Sequence, residues 1–215
     1  MKERLFTPRY AMLLLALLIA AVLAAFAASR VASGGAVDDD SADAGFLRDM
    51  RVHHDQAVEM ALLIRDRTED PLLHALATDI MLTQQAQVGT MGGWLQIWDL
   101  PQTGGEPAMT WMGHPTEGRM PGMASTEEVR QLRELPLAEA EVQFLRLMIR
   151  HHAAGVTMAE ACLERCDEEV VTTLAGKIIN GQQFEIDAMQ SMLAERGQEP
   201  EPITPAVEAT PHDHA

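Results

Sequence analysis

Residues 46–61 read FLRDMRVHHDQAVEMA and residues 144–159 read FLRLMIRHHAAGVTMA, so one phrase with paired histidines occurs twice. The two copies align at a constant offset of 98 residues, and the match continues without a gap over residues 46–95 and 144–193. A repeat of this length indicates two copies of one supersecondary unit, each of which needs the other to bury its apolar face.

The first copy has the pattern of a helical hairpin. We predict a first helix over residues 44–67, with Asp43 as its N-cap. A second helix begins at Asp70 and Pro71, an N-cap followed by proline at the first helical position, and continues to about Trp98.

The second copy repeats the hairpin. We predict a helix over residues 137–165 and a last helix that Asp167 caps and that ends near Arg196, before Gly197. A further short helix is indicated by the capping-box pattern at residues 125–128. Two hairpins predict an all-α protein, an antiparallel four-helix bundle with a pseudo-two-fold axis.

The composition suits a single helical domain. Of the 215 residues, 47% are hydrophobic and 4% aromatic, a balance that favours helices over a sandwich of sheets. The formal net charge is −16, which argues against a nucleic-acid partner because the two would repel each other.

The N-terminus has the pattern of an export segment. Lys2, Arg4 and Arg9 precede an uncharged run over residues 11–28, which is typical of a signal peptide and long enough for an uncleaved membrane anchor. Both alternatives place the rest of the chain outside the cytoplasm. The predicted organisation is a signal peptide or anchor (1–29), a flexible tether (30–43), the bundle (44–196, with halves 44–98 and 137–196 and a Met- and His-rich connection 99–136) and a disordered acidic, Pro-rich tail (197–215).

The paired histidines are predicted to face the bundle interior. On a helical wheel both histidines of each copy lie inside the apolar arc, with a methionine two turns later on the same side. Buried polar groups need partners, and neutral imidazole is the commonest protein ligand for metals. The predicted metal ligands on these helices are His53, His54, Met60, His151, His152 and Met158.

Two carboxylates extend this candidate site. Glu185 lies on the apolar stripe of the last helix, and the residue at the matching position of the first copy is the neutral Gln87. We predict Glu185 as a metal ligand; its alternative role is a salt bridge or hydrogen bond to an inward histidine. Asp49 lies one turn before His53 and is predicted to orient it, whereas its counterpart is Leu147.

Thioether and imidazole together favour copper. Thioether suits Cu(I) and imidazole suits Cu(II), although zinc is a possible occupant of the same nitrogen ligands. The methionines of the connection have a second interpretation, since they could simply cover one end of the bundle. The possible accessory ligands are Met109, Met112, His114, Met120, Met123, His212 and His214.

Other metal and catalytic sites lack their motifs. No Glu stands three residues before any paired histidine, which disfavours a ferritin-type di-iron site. A phosphate-binding glycine loop and the nucleophile-elbow motif are also missing, so no catalytic residue is predicted. Cys162 and Cys166 are open to three interpretations: buried thiols, a disulfide that distorts the last helical turn, or soft metal ligands.

The doubled phrases, each followed by a Gln-rich helix (QQAQVGTM and QQFEIDAM), resemble the exported family named domain of unknown function 305. The passage GRMPGMASTEEVRQL is similar to the Met-Gly-rich segment that this family carries between its halves, and the resemblance spans residues 44–196. It implies a ferritin-like bundle that is exported or membrane-anchored, and copper binding by the paired histidines, their methionines and Glu185. Gln87 departs from the family pattern, which has a carboxylate there.

Three functions follow as hypotheses. The first is an extracytoplasmic protein that sequesters or carries copper. The second is a membrane-anchored scaffold or partner-binding module without metal, in which the inward histidines bond to Glu185, Gln84 and Gln182. The third is a copper-dependent oxidoreductase, which requires an open coordination position. The expected partners are a metal ion and, if the N-terminal segment stays uncleaved, the membrane; no protein partner is indicated.

Overall fold

The computed structural model describes residues 12, 15, 17–22 and 37–203. Residues 37–203 contain no strand, which confirms the predicted all-α class. In chain order the elements are α1 (Ala42–Arg65), α2 (Pro71–Ile97), a 3₁₀ turn (Thr110–Met112), α3 (Thr126–Glu134), α4 (Leu137–Arg165) and α5 (Glu169–Glu195).

The caps of α1 and α5 differ from the prediction. Ser41, not Asp43, caps α1, and its hydroxyl accepts the Ala44 N–H at 3.2 Å. The Asp43 carboxylate instead accepts the N–H groups of Asp167 and Glu168, both at 3.0 Å, at the start of α5. Asp167 does not cap α5, because the N-cap position is Glu168, and no side chain makes a capping hydrogen bond there.

Other helix ends agree with the sequence. The Asp70 side chain accepts the N–H of Leu72 at 2.9 Å, so the predicted cap of α2 is confirmed. Before α3, the Ser125 hydroxyl accepts the Glu128 N–H at 3.1 Å, and the Glu128 carboxylate accepts the Ser125 N–H at 2.7 Å. This reciprocal pair is the predicted capping box. Gly197, with φ of +67°, follows the end of α5.

The helices pack as two hairpins. α1 packs on α2 and α4 packs on α5, and the two halves meet mainly where α1 lies against α4. The connection between the halves, with its 3₁₀ turn and α3, covers α1 and α4. The residues at the α1–α4 contact therefore lie at the centre of the bundle.

Polar residues divide the core into two apolar clusters. The first apolar cluster includes the C-terminal half of α1 and the N-terminal half of α4, with Met60 and Phe144. The second includes the N-terminal half of α1 and the C-terminal half of α4, with Phe46 and Met158. Between them lie four residue pairs related by the 98-residue offset. This polar layer consists of His53, His54, Gln84, Gln87, His151, His152, Gln182 and Glu185.

The chain ends are described in part. Residues 17–22 are helical and exposed, and they belong to a separate unit of the chain. Among the described residues, no helix is both long enough and apolar enough to cross a membrane; most of the predicted signal or anchor lies outside them. In the predicted tail, the Glu201 N–H donates to Gln190 at 2.9 Å, and the Glu201 carboxylate accepts from Arg150 at 2.8 Å. Residues 204–215 lie outside the described residues.

Candidate metal centre

Two fully buried histidines meet at the α1–α4 contact. The rings of His53 and His151 have centroids 3.7 Å apart and an interplanar angle of 33°. The His151 Nε2–H donates to the backbone carbonyl of His53 at 2.9 Å. Because these two residues are equivalent in the repeat, their contact marks the pseudo-two-fold axis.

The two outer histidines each bond to the second helix of their own hairpin. His54 Nε2 lies 2.7 Å from Gln87 Oε1, and His152 Nε2 lies 2.7 Å from Glu185 Oε2. The inward position of Glu185 is thus explained by its histidine partner. Gln87, at the equivalent position, makes the same contact with a neutral amide.

The hydrogen bonds fix the tautomer of three of the four imidazoles. Nε2 of His53, His151 and His152 faces a carbonyl or carboxylate oxygen, which can only accept, so it carries the proton. Nε2 of His54 carries the proton in the same way when it donates to the Gln87 amide oxygen. Nδ1 then holds the lone pair, and all four Nδ1 atoms are buried without a hydrogen-bond partner. The acceptors are the backbone carbonyls of Pro121 (3.3 Å, for His53) and His53 (for His151) and the side chains of Gln87 (for His54) and Glu185 (for His152).

Burial keeps three of these imidazoles neutral, those of His53, His54 and His151. It lowers the pKa of His53 to about 4, an effect that the Pro121 hydrogen bond only partly opposes. Burial, together with the charge of neighbouring His53, lowers the pKa of His54 to about 3. The pKa of His151 is lowered well below its usual value, again mainly by burial. At neutral pH the lone pairs on Nδ1 are therefore available to a cation.

Two glutamines complete the polar layer. Gln84 and Gln182 are buried, and neither the nitrogen nor the oxygen of either amide has a hydrogen-bond partner. A Cβ at Gly155 would lie 2.5 Å from Gln182 Oε1, so the glycine makes room for this side chain. The expected bonds from the histidines to Gln84 and Gln182 are therefore wrong, because the register of each hairpin pairs the outer histidine with the residue one turn farther along.

The unpartnered atoms fit a metal ion by their chemistry. Imidazole nitrogens with free lone pairs are donors for transition metals, and buried polar atoms without partners are rare in folded proteins. The nitrogens do not form a ready coordination sphere, since no three His, Cys, Asp or Glu side chains of the described residues are grouped as a metal site. An ion would thus bind only after the Nδ1 atoms of the imidazoles move closer together.

The two predicted helix methionines lie apart from the histidines. Met60 is buried in the first apolar cluster and Met158 in the second, each two helical turns beyond the histidines of its helix. Two turns correspond to about 10 Å along a helix. The predicted set of six ligands is therefore divided into one central group of imidazoles and two separate thioethers.

The methionines of the connection cover one end of the bundle. Met109, Met112 and Met120 are buried in the second apolar cluster together with Met158, and Met123 packs against it. His114 is exposed. The buried thioethers of the connection thus share an apolar cluster with Met158, while His212 and His214 lie outside the described residues.

Asp49 does not orient His53 as predicted. Its carboxylate accepts the backbone N–H of Met109 at 2.7 Å and the indole N–H of Trp111 at 2.9 Å. Burial raises the pKa of Asp49, and these two hydrogen bonds oppose that shift. Trp111 in turn lies against Gly45, where a Cβ would be 2.5 Å away. Asp49 therefore holds the connection against α1 through these two donors. The sequence pattern could not locate them, because both belong to the connection.

Cys162 and Cys166 form a disulfide with their Cα atoms 5.0 Å apart. α4 ends at Arg165, and Cys166 has an extended backbone with ψ of 140°. The chain thus leaves the helix between the two cysteines, as the disulfide interpretation requires. In this form the sulfurs are not metal ligands.

The sequence did not identify the partners of three histidines, His53, His54 and His151. Gln87 was identifiable, since the repeat offset makes it the counterpart of Glu185. Pro121, which bonds to His53, and Gln56, which holds the chain beside Pro121, act across 68 residues. No local pattern predicts such contacts.

A duplicated four-helix bundle with a buried layer of histidines beside a methionine-rich cluster defines a class of helical proteins whose side chains suit a metal ion. The chain belongs to the family described as domain of unknown function (DUF305), whose model matches residues 43–193. This confirms the family that the doubled phrases resemble.

Solved structures share this fold. A candidate secreted protein of the family from Streptomyces coelicolor is 49% identical with a TM-score of 0.73, over 76% of this chain and 98% of that one. CopM in its Cu(II)-bound form is 28% identical with a TM-score of 0.59, over 72% of this chain and 97% of that one. An uncharacterized protein of Acanthamoeba polyphaga mimivirus is 41% identical over 49 residues, which are 23% of this chain and 32% of that protein.

Proposed function

We propose that this protein binds copper outside the cytoplasm and sequesters or carries it. The observation that carries the proposal is the set of four buried Nδ1 atoms without hydrogen-bond partners in one layer of the bundle. Imidazole suits Cu(II), and copper stands highest among the divalent ions in affinity for nitrogen ligands.

The proposed ligands have separate roles. The four histidines of the polar layer would hold the ion through Nδ1, with Glu185 and Gln87 orienting the outer rings through Nε2. Met60, Met158 and the methionines of the connection would serve Cu(I), because thioether is a soft ligand. Zinc could bind the same imidazoles, but it does not require thioether ligands.

A relative and the cysteines support this proposal. CopM, with 28% identity, has a solved structure in its Cu(II)-bound form. The candidate secreted protein of Streptomyces coelicolor supports an extracytoplasmic location, and so does the disulfide, since such bonds persist in oxidising compartments. The N-terminal segment would direct export, either as a cleaved signal or as an anchor.

The alternative is a helical scaffold without metal, and one observation favours it. All four Nε2 atoms are already hydrogen-bonded within the protein. The scaffold leaves the four Nδ1 atoms unexplained, whereas the copper proposal gives them a role.

Thermal unfolding separates the two functions. A ligand that binds only the native state raises its stability. Under the copper proposal, Cu(II) raises the melting temperature of the full chain, and a strong chelator reverses the rise. Under the scaffold alternative, neither addition changes the melting temperature. The matched control replaces the exposed His74 and His114 with alanine and should keep the full response.

A further inference from the structure

The part of the connection just before α3 crosses the polar layer. We call residues 120–124 the strap. Its Pro121 carbonyl accepts a hydrogen bond from His53 Nε2 at 3.3 Å. Met120, at the start of the strap, is buried in the second apolar cluster, and Ala124, at its end, is buried in the first. The strap thus spans the polar layer from one cluster to the other.

The Gln56 side chain makes two hydrogen bonds to Ala124 at the end of the strap, and we call this pair of bonds the clasp. Its Nε2–H donates to the Ala124 carbonyl at 2.9 Å, and its Oε1 accepts the Ala124 N–H at 2.7 Å. One amide thus satisfies both backbone groups of one strap residue. Gln56 lies on α1 three residues after His53, so the clasp and the Pro121 contact act on neighbouring positions of the same helix.

In the other half of the bundle, α4 packs closely against Gly122 of the strap. A Cβ at Gly122 would lie 2.5 Å from the Ala154 Cβ and 2.6 Å from the Arg150 carbonyl, and Gly122 has φ of +75°. Only glycine fits this backbone and this approach. Ala154 is the counterpart of Gln56 in the repeat. A single strap therefore lies across the symmetric bundle because one copy carries a clasp and the other a small residue.

We propose that Gln56 is a positioning residue of the metal site, which holds the Pro121 carbonyl against His53 and so keeps His53 Nδ1 free for the ion. This inference rests on the proposed copper function. If the strap moves away, His53 Nε2–H loses its acceptor, and the tautomer with the proton on Nδ1 becomes accessible. In that tautomer the lone pair that should face the ion is absent.

The test records NMR correlations of the histidine rings in the metal-free full chain, labelled with ¹⁵N. Wild type should show His53 protonated on Nε2. Gln56→Met keeps the length of the side chain but removes the clasp, and should give a mixture of the two tautomers. Gln85→Met, at an exposed glutamine of α2, is the matched control and should leave His53 unchanged. A competition titration with Cu(II) should then show about tenfold weaker binding for Gln56→Met alone.

Each outcome decides the proposal. An unchanged His53 tautomer in Gln56→Met overturns it, whatever the copper result. A changed tautomer with unchanged copper affinity also overturns it, because Gln56 would then be structural only. If wild type binds no copper, the proposed function and the role of Gln56 in it both fall, although a changed tautomer would still show that the strap sets the state of His53. Should Gln56→Met not fold, Gln56→Glu, which keeps the acceptor and loses the donor, takes its place with the same expected results.

Discussion

The two halves of the polar layer carry the same residue types at three of their four repeated positions and differ at the fourth. His54 donates to the amide oxygen of Gln87, and His152 donates to the carboxylate of Glu185, both at 2.7 Å. A carboxylate partner makes an imidazole more basic and adds negative charge beside it, which an amide does not. Because the geometry matches and the charge differs, we expect the half with Glu185 to be the stronger half of the proposed site.

Two further differences set the halves apart. The first half holds the strap through Gln56, whereas the second seats it on Ala154. The second half alone ends its first helix in a disulfide, since Ile64 and Thr68 stand at the positions equivalent to Cys162 and Cys166. Duplication therefore accounts for the inward histidines, and later divergence gave each half its own support.

Acid should weaken the metal-free protein through buried histidines of both halves, because burial also lowers the pKa of His151. The pKa values of His53 and His54, about 4 and about 3, lie below the value of about 6.5 expected in the unfolded chain. The unfolded chain binds more protons between these values, so stability is full above pH 6.5 and falls as the pH approaches 4. For His53 alone the loss is on the order of 3 kcal/mol.

Urea unfolding of the metal-free chain at a series of pH values checks this expectation. His54→Gln should flatten the dependence, and the exposed His74→Gln should leave it unchanged. A wild-type free energy of unfolding that is constant from pH 6.5 to 4 contradicts the neutral state assigned to the first-half histidines.

Removing the disulfide should lower stability without changing copper binding. Replacing Cys162 and Cys166 with alanine releases a short loop, which costs about 2 kcal/mol of unfolding free energy in the chain-entropy model. The measurement is urea unfolding paired with a copper titration. A loss of copper affinity in this variant would show that the second half depends on the disulfide as well as on Glu185.

Glu185→Gln should make the two halves chemically equal and weaken the site. Loss of the carboxylate that orients His152 should reduce Cu(II) affinity on the order of tenfold. Competition titration measures the change. Asp187→Asn removes an exposed charge from the same helix and should have little effect. Equal affinities for wild type and Glu185→Gln would contradict the stronger role of the second half.

Gln87→Glu should also make the two halves chemically equal, in this case by giving each half a carboxylate. A carboxylate beside His54 should tighten Cu(II) binding by a few-fold only, because burying the new charge in the metal-free protein opposes the gain. Gln85→Glu, an exposed change on the same helix, serves as the control in the same titration. Weaker binding by Gln87→Glu than by wild type would be the opposite of this expectation.

Much of the fold follows from local patterns. The bounds of α4 match the predicted 137–165, and the Ser125 capping box is where the sequence places it. The inward direction of the histidines and of Glu185 follows from helical periodicity. Each of these features depends on residues within a few turns of each other.

Contacts between distant segments were not predictable in the same way. Asp43 was expected to cap its own helix, but it binds backbone N–H groups just before α5, 124 residues away, and Asp49 binds the connection rather than His53. The clasp between Gln56 and Ala124 joins residues 68 apart. These contacts depend on the path of the connection over the bundle, which periodicity and capping patterns do not encode.

The most direct test of the central proposal is the copper content of the full chain with and without its buried imidazoles. Wild type and the control with His74 and His114 replaced should retain stoichiometric Cu(II) after gel filtration. The variant with alanine at His53, His54, His151 and His152 should lose it while keeping its helical circular dichroism. Equal copper in this variant and in wild type would contradict a metal site in the polar layer.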